Sequence, residues 1–252
     1  MNIDLTNLNI LVTGASKGIG FAIARQLAIS GARVAIHYNN SGKKAIELAT
    51  FLGNNSIAFK ADFSDQSQIL RLFDEVLVEF GHLDVIINNA GIALNSPIET
   101  SDAKWLDDWE QTLTVNLTAT ALLCKKSLSH FLTRNSGRII NIASRAAFRG
   151  DTAGYLAYAA SKGGMVALTR SLARAYGKQG IKAFLLAPGF TKTAMAQEFI
   201  DAYGEDFTKN DISLDRITVP EDIVPLVVLL ASGLADHATG CTIDVNAGSY
   251  VH

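Results

Sequence analysis

Short, continuously apolar segments rich in β-branched residues alternate along the whole chain with longer segments of helical periodicity. Buried parallel strands have this continuous apolar character, because helices cover both faces of their sheet. The pattern therefore predicts an α/β fold with a doubly wound parallel sheet. The predicted strands span 9–13, 33–37, 56–60, 83–88, 138–143, 181–186 and 242–245, and the predicted helices span 21–30, 43–52, 66–80, 103–132, 156–175 and 222–231.

The length and composition fit one domain. At 252 residues with 48% hydrophobic side chains, the chain can bury a sizeable core, and no Pro-, Gly- or Ser-rich linker divides it. We therefore expect a single domain over residues 1–252. The formal net charge of -2, with Lys and Arg scattered, provides neither a basic face for nucleic acid nor a polybasic membrane anchor. A small neutral or acidic metabolite is the expected partner.

The cysteines and the apolar segments bear on the cellular compartment. Cys124 and Cys241 are too few and too far apart in sequence to suggest a disulfide framework or a metal site, so we expect reduced core cysteines and no metal. Residues 1–9 have no basic region leading into an apolar one, and the longest apolar run, 223–231, is too short to span a bilayer. The sequence predicts a soluble, cytoplasmic protein.

A glycine-rich segment follows the first predicted strand. In doubly wound folds, ligands bind at the carboxyl ends of the strands, so the residues directly after each strand are the candidates for chemistry. Glycines allow the backbone to turn tightly and approach a pyrophosphate, which the N-terminus of the following helix stabilises. The segment 13–20 therefore predicts a dinucleotide site, with the candidate residues Gly14, Ser16, Lys17, Gly18, Ile19 and Gly20.

The end of the second predicted strand favours NADP(H). The position where an acidic residue would hold a free ribose 2′-hydroxyl is occupied by Tyr38, with His37 and Asn39 beside it. No carboxylate stands there to repel a 2′-phosphate. Lys17, together with Ser41, Lys43 or Lys44, could neutralise that phosphate. We expect NADP(H), with NAD(H) as the alternative, and a solvated loop charge is the alternative interpretation of Lys17.

Two further strand ends are candidates for contacts with the adenosine. Asp62 could accept a hydrogen bond from the adenine amino group, or it could cap the next helix with Ser64 or Asp65. Phe63 lies beside it in the sequence. After the fourth strand, a corner of small residues allows the backbone to pass close to the adenosine, and its candidates are Asn89, Ala90 and Gly91.

Tyr158 and Lys162 are four residues apart in one predicted helix, so their side chains share a face. A nearby ammonium favours the phenolate, so we expect the pKa of Tyr158 to lie below its ordinary value of about 10 and the phenol to serve as a proton donor and acceptor. Ser144 follows the fifth strand at the same edge of the sheet. Asn116 lies in an apolar helical segment and needs hydrogen-bond partners, which the backbone could supply.

Several motifs therefore occur in one order and spacing: Thr13-Gly14-x-x-x-Gly18-x-Gly20, Asn88-Asn89-Ala90-Gly91, Asn116, Ser144, Tyr158-x-x-x-Lys162 and Pro188-Gly189. Together they resemble the short-chain dehydrogenase/reductase family over essentially the whole chain. The resemblance implies a Rossmann sheet of about seven strands and hydride transfer between a nicotinamide and a carbonyl or secondary alcohol. It also implies a catalytic tetrad of Asn116, Ser144, Tyr158 and Lys162, in which Asn116 binds a water and Lys162 also holds the nicotinamide ribose.

The resemblance extends to the residues after the sixth strand. Pro188, Gly189, Thr191 and Thr193 look like the family's segment that passes over the nicotinamide. It implies that the backbone near Thr191 meets the carboxamide and that the Thr193 hydroxyl meets a phosphate. Residues 190–218 correspond to the substrate lid of the family.

Two helical faces bear on assembly. Trp105 and Trp109 are four residues apart, and small residues line one side of the Tyr158 helix, namely Ala159, Ala160, Gly163 and Gly164. Ordinary core packing is one explanation. Family members usually associate through these two helices into tetramers, and small residues permit close approach, so the resemblance implies a homotetramer.

Three functional hypotheses follow. The first is an NADP(H)-dependent carbonyl reductase, similar in length and in its Tyr38-Asn39 region to 3-oxoacyl-carrier-protein reductases, with a substrate that could be bound to a carrier protein. The second is a dehydrogenase of the same family for a sugar, polyol, steroid or other secondary alcohol. The third is a non-catalytic NADP-sensing protein, which the complete catalytic set disfavours. Arg145 and Arg149 could face an acidic carrier or substrate, or solvent.

Overall fold

The computed structural model describes residues 3–194, 196 and 209–251. Within this part of the chain, seven strands form one parallel sheet in the order β3-β2-β1-β4-β5-β6-β7. This arrangement confirms the predicted doubly wound α/β fold. The strands are β1 Asn9–Val12, β2 Arg33–Tyr38, β3 Ile57–Lys60, β4 Val85–Asn88, β5 Gly137–Ile142, β6 Ile181–Pro188 and β7 Thr242–Val245.

Helices cover both faces of this sheet. They are α1 Gly18–Ile29, α2 Gly42–Leu52, α3 Gln66–Phe80, α4 Asp102–Leu113, α5 Ala119–Arg134, α6 Ala146–Arg149, α7 Leu156–Tyr176 and α8 Pro220–Ser232. A π-helical turn at Thr114–Thr118 separates α4 from α5, so the predicted helix 103–132 is interrupted at the turn that carries Asn116. No helix among the described residues combines the length and the apolar character that crossing a membrane requires.

Alternate residues of the central strands face opposite layers of the core. Ile10 and Val12 of β1 pack with α1 and α8, whereas Leu11 packs with α3, α5 and α7. Both faces of each central strand are therefore removed from water, which stabilises the fold by roughly 25 cal/mol for each Å² of apolar surface. This two-sided burial explains why the strand sequences are continuously apolar.

The connections of the sheet diverge next to β1, and this divergence positions the candidate site. Strand β1 pairs with β2 on one side and with β4 on the other. A doubly wound sheet opens a crevice at the carboxyl ends of its strands at such a point. The segments that follow β1, β2, β4 and β5 meet there.

The predicted lid over 190–218 lies partly outside the described residues, because residue 195 and residues 197–208 are not described. At the two ends of this segment, Thr191 and Thr218 form an isolated parallel bridge. The chain therefore leaves and re-enters the sheet edge at neighbouring points.

Candidate active site

The turn from β1 into α1 is shaped by glycine. Gly14 and Gly18 have φ angles of +62° and +57°, which L side chains rarely adopt. A Cβ atom at Gly14 would lie 2.9 Å from the Cα atom of Ala90, and one at Gly20 would overlap the Gly14 carbonyl oxygen. Lys17, at the N-cap of α1, makes no side-chain hydrogen bond to the first turn. The N–H groups of that turn therefore have no side-chain cap, as an anion site requires.

Thr13 and Asn89 hold this turn in place. The Thr13 hydroxyl accepts hydrogen bonds from the backbone N–H groups of Asn89 and Ala90, both at 2.9 Å. The Asn89 side-chain amide donates to the carbonyl oxygens of Thr13 and Gly14, at 2.9 and 3.2 Å. Asn89 thus shapes the turn through its side chain, and Ala90 lies directly against Gly14.

A buried histidine, which motif reasoning did not assign to the site, joins two candidate loops. The His37 Nδ1 atom accepts a hydrogen bond from the Gly14 N–H at 3.1 Å, and Nε2 lies 3.0 Å from the Ala61 carbonyl oxygen. The ring stacks on Phe63 at a centroid distance of 4.1 Å. Burial lowers the pKa of His37 to about 4. His37 is a polar residue inside an otherwise apolar strand, and this sequence signal could have indicated that its ring needs hydrogen-bond partners near the site.

Asp62 and Asn39 meet at the carboxyl ends of β3 and β2. Asp62 accepts hydrogen bonds from the backbone N–H and the hydroxyl of Ser64, which lower the pKa of Asp62, and the Asn39 side chain adds to this effect. The cap of α3 is instead Asp65, which accepts from the Ser67 N–H at 2.9 Å. Asp65 rather than Asp62 therefore caps α3.

Other predicted cofactor residues differ in exposure. Tyr38 is half-buried with its ring edge close to Gly42, where a Cβ atom would lie 3.1 Å from Cε2. Ser16 is buried, and Ile19 packs against the core. Lys17 is exposed, so its ammonium reaches into solvent beside the phosphate turn.

Tyr158 and Lys162 lie near the start of α7, at the carboxyl end of β5. The Lys162 ammonium donates to the Ile142 carbonyl oxygen at 2.9 Å and lies 5.7 Å from the centroid of the Tyr158 ring. The Ser144 hydroxyl is hydrogen-bonded to the Tyr158 phenol and accepts from the Ala146 N–H at 3.1 Å. The fold thus brings Ser144, Tyr158 and Lys162 together at one edge of the sheet.

Burial governs the titration of this pair, and the expectation that the pKa of Tyr158 lies below 10 is wrong. Burial raises the pKa of Tyr158 to about 12, although the Ser144 hydrogen bond opposes the shift, and the Asp151 carboxylate adds to it. Burial also lowers the pKa of Lys162 to about 8. The ammonium donates to Ile142 rather than to the phenol, so desolvation outweighs the attraction between cation and phenolate. Tyr158 therefore keeps its proton at neutral pH.

The Asn116 side chain is engaged by neighbouring groups. Its Oδ1 atom accepts from the Ile92 N–H at 2.8 Å, and Nδ2 donates to the Ile92 carbonyl oxygen at 2.9 Å and to the Ser161 hydroxyl at 3.0 Å. The backbone and Ser161 of α7 thus satisfy this buried amide. A Cβ atom at Gly91 would lie 3.2 Å from Asn116 Oδ1 and 3.5 Å from Lys162 Nζ, so Gly91 leaves space between these two side chains.

The segment after β6 lies against the phosphate turn. A Cβ atom at Gly18 would lie 3.4 Å from the methyl group of Thr193. Thr191 is buried, and its hydroxyl donates to the Gly189 carbonyl oxygen at 3.0 Å. Pro188 ends β6 at the same edge. These predicted residues therefore border the crevice from the side opposite β2.

Charged side chains follow β5, next to Ser144 in the chain. Arg145 and Arg149 both donate to one oxygen of Asp211, at 2.6 and 2.7 Å. Burial raises the pKa of Asp151, and the charges of both arginines oppose that shift. Arg145 and Arg149 are thus paired within the chain rather than only solvated.

The residues at the crevice fit a nicotinamide dinucleotide. The start of α1 presents N–H groups without a side-chain cap, which suits a pyrophosphate. The end of β2 carries Tyr38 and Asn39 rather than a carboxylate, and the exposed Lys17 adds positive charge beside the turn. This donor set is suited to an anionic ligand with more than one phosphate group.

A family model described as "Enoyl-(Acyl carrier protein) reductase" matches residues 14–250, from the phosphate turn to beyond β7. The chain belongs to the short-chain dehydrogenase/reductase family. The match confirms the resemblance seen in the motifs. As a short-chain dehydrogenase/reductase, the protein is an oxidoreductase that acts on CH–OH and C=O groups with a nicotinamide cofactor.

Similar short-chain dehydrogenase/reductases act on unlike substrates. The 3-oxoacyl-[acyl-carrier-protein] reductase FabG of Staphylococcus aureus is 36% identical over 244 residues, which cover 96% of this chain and 97% of that protein. The 3beta-hydroxysteroid dehydrogenase 1 of Eggerthella lenta is 35% identical over 250 residues, which cover 97% and 94%. A short chain dehydrogenase from Burkholderia cenocepacia, solved in complex with NADP, has a TM-score of 0.89 and 32% identity and covers 97% of this chain and 98% of that one. Membership therefore gives the reaction class and leaves the substrate open.

Proposed function

We propose that this protein is an NADP(H)-dependent reductase of the 3-oxoacyl-carrier-protein type. The observation that carries the proposal is the juxtaposition of Ser144, Tyr158 and Lys162 at the carboxyl edge of the sheet, the edge that also carries the phosphate turn. A protonated phenol, a hydroxyl hydrogen-bonded to it and a buried amine are the groups that carbonyl reduction needs. A non-catalytic NADP sensor has no use for this set.

In the reductive direction, each side chain has a distinct role. Ser144 hydrogen-bonds the substrate carbonyl oxygen, and Tyr158 donates its proton to that oxygen. The nicotinamide, when bound, supplies the hydride that the carbonyl carbon accepts. Lys162 stabilises the resulting phenolate and holds the nicotinamide ribose. Both amide N–H groups of Asn116 are taken by Ile92 and Ser161, so the water through which the proton returns would donate to the second lone pair of Asn116 Oδ1. Because the pKa of Tyr158 is about 12, the phenol starts protonated and releases its proton only as charge develops on the substrate oxygen.

The proposed cofactor contacts form three groups. The phosphate turn comprises Gly14, Ser16, Lys17, Gly18, Ile19 and Gly20. The adenosine side comprises Tyr38, Asn39, Asp62, Phe63, Asn89, Ala90 and Gly91. The nicotinamide side comprises Tyr158, Lys162, Pro188, Gly189, Thr191 and Thr193. The buried members set the shape of the backbone, and the exposed Lys17 contributes charge.

The preference for NADP(H) over NAD(H) rests on charge. Tyr38 and Asn39 leave no carboxylate at the end of β2, and Lys17 is the exposed cation of the phosphate turn. An ammonium favours a 2′-phosphate over a 2′-hydroxyl. The Burkholderia relative, solved with NADP, supports the same choice.

Oxidation of a sugar or polyol is a second candidate, which the charges near the tetrad favour. The charge of the Asp151 carboxylate contributes to the raised pKa of Tyr158, so its field reaches the reacting groups. Arg145 and Arg149 lie near enough to act on Asp151 in turn. Hydroxyl groups hydrogen-bond to such side chains, whereas a long acyl chain or a steroid ring gains nothing from them.

The assembly and the location remain part of the proposal. Trp105 and Trp109 stack on α4 at a centroid distance of 5.1 Å, and α4 packs against α7. Association through these two helices into a homotetramer is measurable by light scattering coupled to size-exclusion chromatography.

Cys124 and Cys241 are both free thiols, which supports a cytoplasmic location.

The test of the proposed function is NADPH oxidation with a short 3-oxoacyl thioester, run beside NADH and beside a polyol with NADP⁺. We expect turnover that prefers NADPH. Lys17→Ala should raise the KM for NADPH roughly tenfold and leave the KM for NADH unchanged, because only NADPH carries the 2′-phosphate. The matched control is Lys178→Ala, an exposed lysine after α7.

The outcomes separate the hypotheses. Polyol oxidation without thioester reduction would move the assignment to the second candidate. Equal use of NADH and NADPH, unchanged in Lys17→Ala, would contradict the assigned role of Lys17. Failure to bind either nucleotide would contradict the proposed function as a whole.

A further inference from the structure

His37 is the buried group that connects the phosphate turn to the adenosine side of the crevice. Only 2% of its surface is exposed, although it lies at the carboxyl edge of β2. Its two ring nitrogens contact the backbone of two different loops, at Gly14 after β1 and at Ala61 after β3. Its ring face lies parallel to Phe63, with an interplanar angle of 4°.

These contacts require one protonation state of the ring. The Gly14 N–H can only donate, so Nδ1 must present a lone pair to it, and the Ala61 carbonyl can only accept, so Nε2 must carry the hydrogen. The neutral Nε2–H tautomer satisfies both partners. A proton on Nδ1 would face the Gly14 N–H with a second donor, and the peptide at Gly14 would have to move.

Movement of that peptide affects the turn through steric contacts. A Cβ atom at Gly14 would lie 2.9 Å from the Cα atom of Ala90, and the Thr13 carbonyl oxygen, which belongs to the same peptide as the Gly14 N–H, accepts from the Asn89 amide at 2.9 Å. The peptide therefore has little room, and its orientation determines the path of the residues that follow. Asp62 is the charged group whose field acts on the ring, and it favours the cation, whereas burial favours the neutral form.

We infer that His37 is a positioning residue for the dinucleotide, which in its neutral form fixes the Gly14 turn and the Phe63 ring in the orientation that binds the cofactor. The inference rests on the proposed cofactor site and is independent of the substrate. Through its two hydrogen bonds, the His37 ring would align the proposed pyrophosphate site at Gly14 with the proposed adenosine site after β3. Acidification should weaken cofactor binding through this residue.

The test compares NADPH dissociation constants, measured by fluorescence titration, for three variants. His37→Leu removes both hydrogen bonds at similar volume, and we expect binding weakened roughly 10- to 100-fold. His37→Asn keeps an acceptor at the δ1 position and should recover most of this loss. The matched control is His130→Leu, because His130 also accepts a backbone N–H, from Leu83 at 3.1 Å, but at the amino end of β4. Its dissociation constant should stay within about twofold of the wild type.

A pH series distinguishes positioning from a general structural role. Between pH 6 and 3.5, the affinity of the wild type for NADP⁺ should fall more steeply than that of His37→Asn, with the difference appearing near the His37 pKa of about 4, since Asn has no proton to gain and the titration of the nucleotide itself is common to both. Equal profiles, or wild-type affinity in both His37 variants, would overturn the inference. If His37→Leu does not fold, His37→Asn and its pH profile decide. A wild type that binds no nucleotide would instead contradict the proposed function.

Discussion

The two ends of the crevice are built from different kinds of contact. Around β1, β2 and β4, buried neutral groups hold the backbone: the Thr13 hydroxyl, the Asn89 amide and the His37 ring all hydrogen-bond to main-chain atoms. Beyond β5, partly exposed ion pairs connect the segments, as where Arg145 and Asp211 meet. Loss of a buried partner leaves an unsatisfied group at a cost of about 1–3 kcal/mol, whereas an exposed ion pair contributes about 1 kcal/mol or less. The cofactor end is therefore the more tightly specified of the two.

The largest effect is expected from a methyl group in the phosphate turn. A Cβ atom at Gly20 overlaps the Gly14 carbonyl oxygen and approaches the Cα atom of Ala15 to 3.0 Å. Gly20→Ala should weaken NADPH binding more than about 100-fold and lower the free energy of unfolding by about 1–3 kcal/mol. Titration calorimetry and urea denaturation measure the two quantities.

The control for this variant is Gly177→Ala. Nothing lies within 4 Å of a Cβ atom built at Gly177, and its φ of -57° suits alanine. We expect a gain of about 0.4–1 kcal/mol in the free energy of unfolding and unchanged NADPH binding. Wild-type affinity in Gly20→Ala would show that the cofactor end tolerates repacking as well as the other end does.

The next effect, of similar size in the free energy of unfolding but without a change in the packing of the turn, is expected from pH. The pKa of His37 is lowered from 6.5 to about 4 by burial, so between these values the unfolded chain binds a proton that the folded chain does not. The stability associated with this residue is fully present above pH 6.5, is lost as the pH falls and is gone below about 4. The free energy of unfolding of the wild type, minus that of His37→Asn, should therefore rise by about 3 kcal/mol from pH 4 to pH 7. A difference that does not vary with pH would show that His37 is not buried in its neutral form.

The smallest effect is expected at the end of the crevice beyond β5. Asp211→Asn removes the carboxylate shared by Arg145 and Arg149, all three of which are partly exposed. The free energy of unfolding should fall by about 1 kcal/mol or less, with NADPH binding unchanged. Glu75→Gln, which breaks the surface pair with Arg71 on α3, is the matched control. Weakened NADPH binding in Asp211→Asn alone would show that the two ends of the crevice are coupled, against the contrast drawn between them.

The sequence predicted elements whose causes are local. The predicted helix 66–80 agrees with α3 at both ends, since Asp65 caps its first turn and Gly81, with a φ of +77°, ends it. The candidate tetrad was recognised because its spacing along the chain is characteristic. The interruption at Thr114–Thr118 was missed, because the partners of Asn116 lie at Ile92 and in α7, far away in the sequence.

Properties that depend on burial were not predictable from the chain alone. The helical spacing of Tyr158 and Lys162 was correct, but desolvation reversed the expected direction of the pKa shift. The role of His37 depends on Gly14 and Ala61, which are 23 and 24 residues away. The end of the crevice beyond β5 is held by ion pairs such as that between Arg145 and Asp211, which no motif indicates.

The most direct test of the central claim is the Tyr158→Phe variant, assayed for both NADPH binding and turnover. Tyr176→Phe, at the other end of α7, is the control. The account predicts turnover reduced by about 10²- to 10⁴-fold and a dissociation constant for NADPH raised by far less, because the variant loses the proton donor but only one hydroxyl among the many proposed cofactor contacts. Turnover close to that of the wild type would contradict the assignment of Tyr158 as the proton donor.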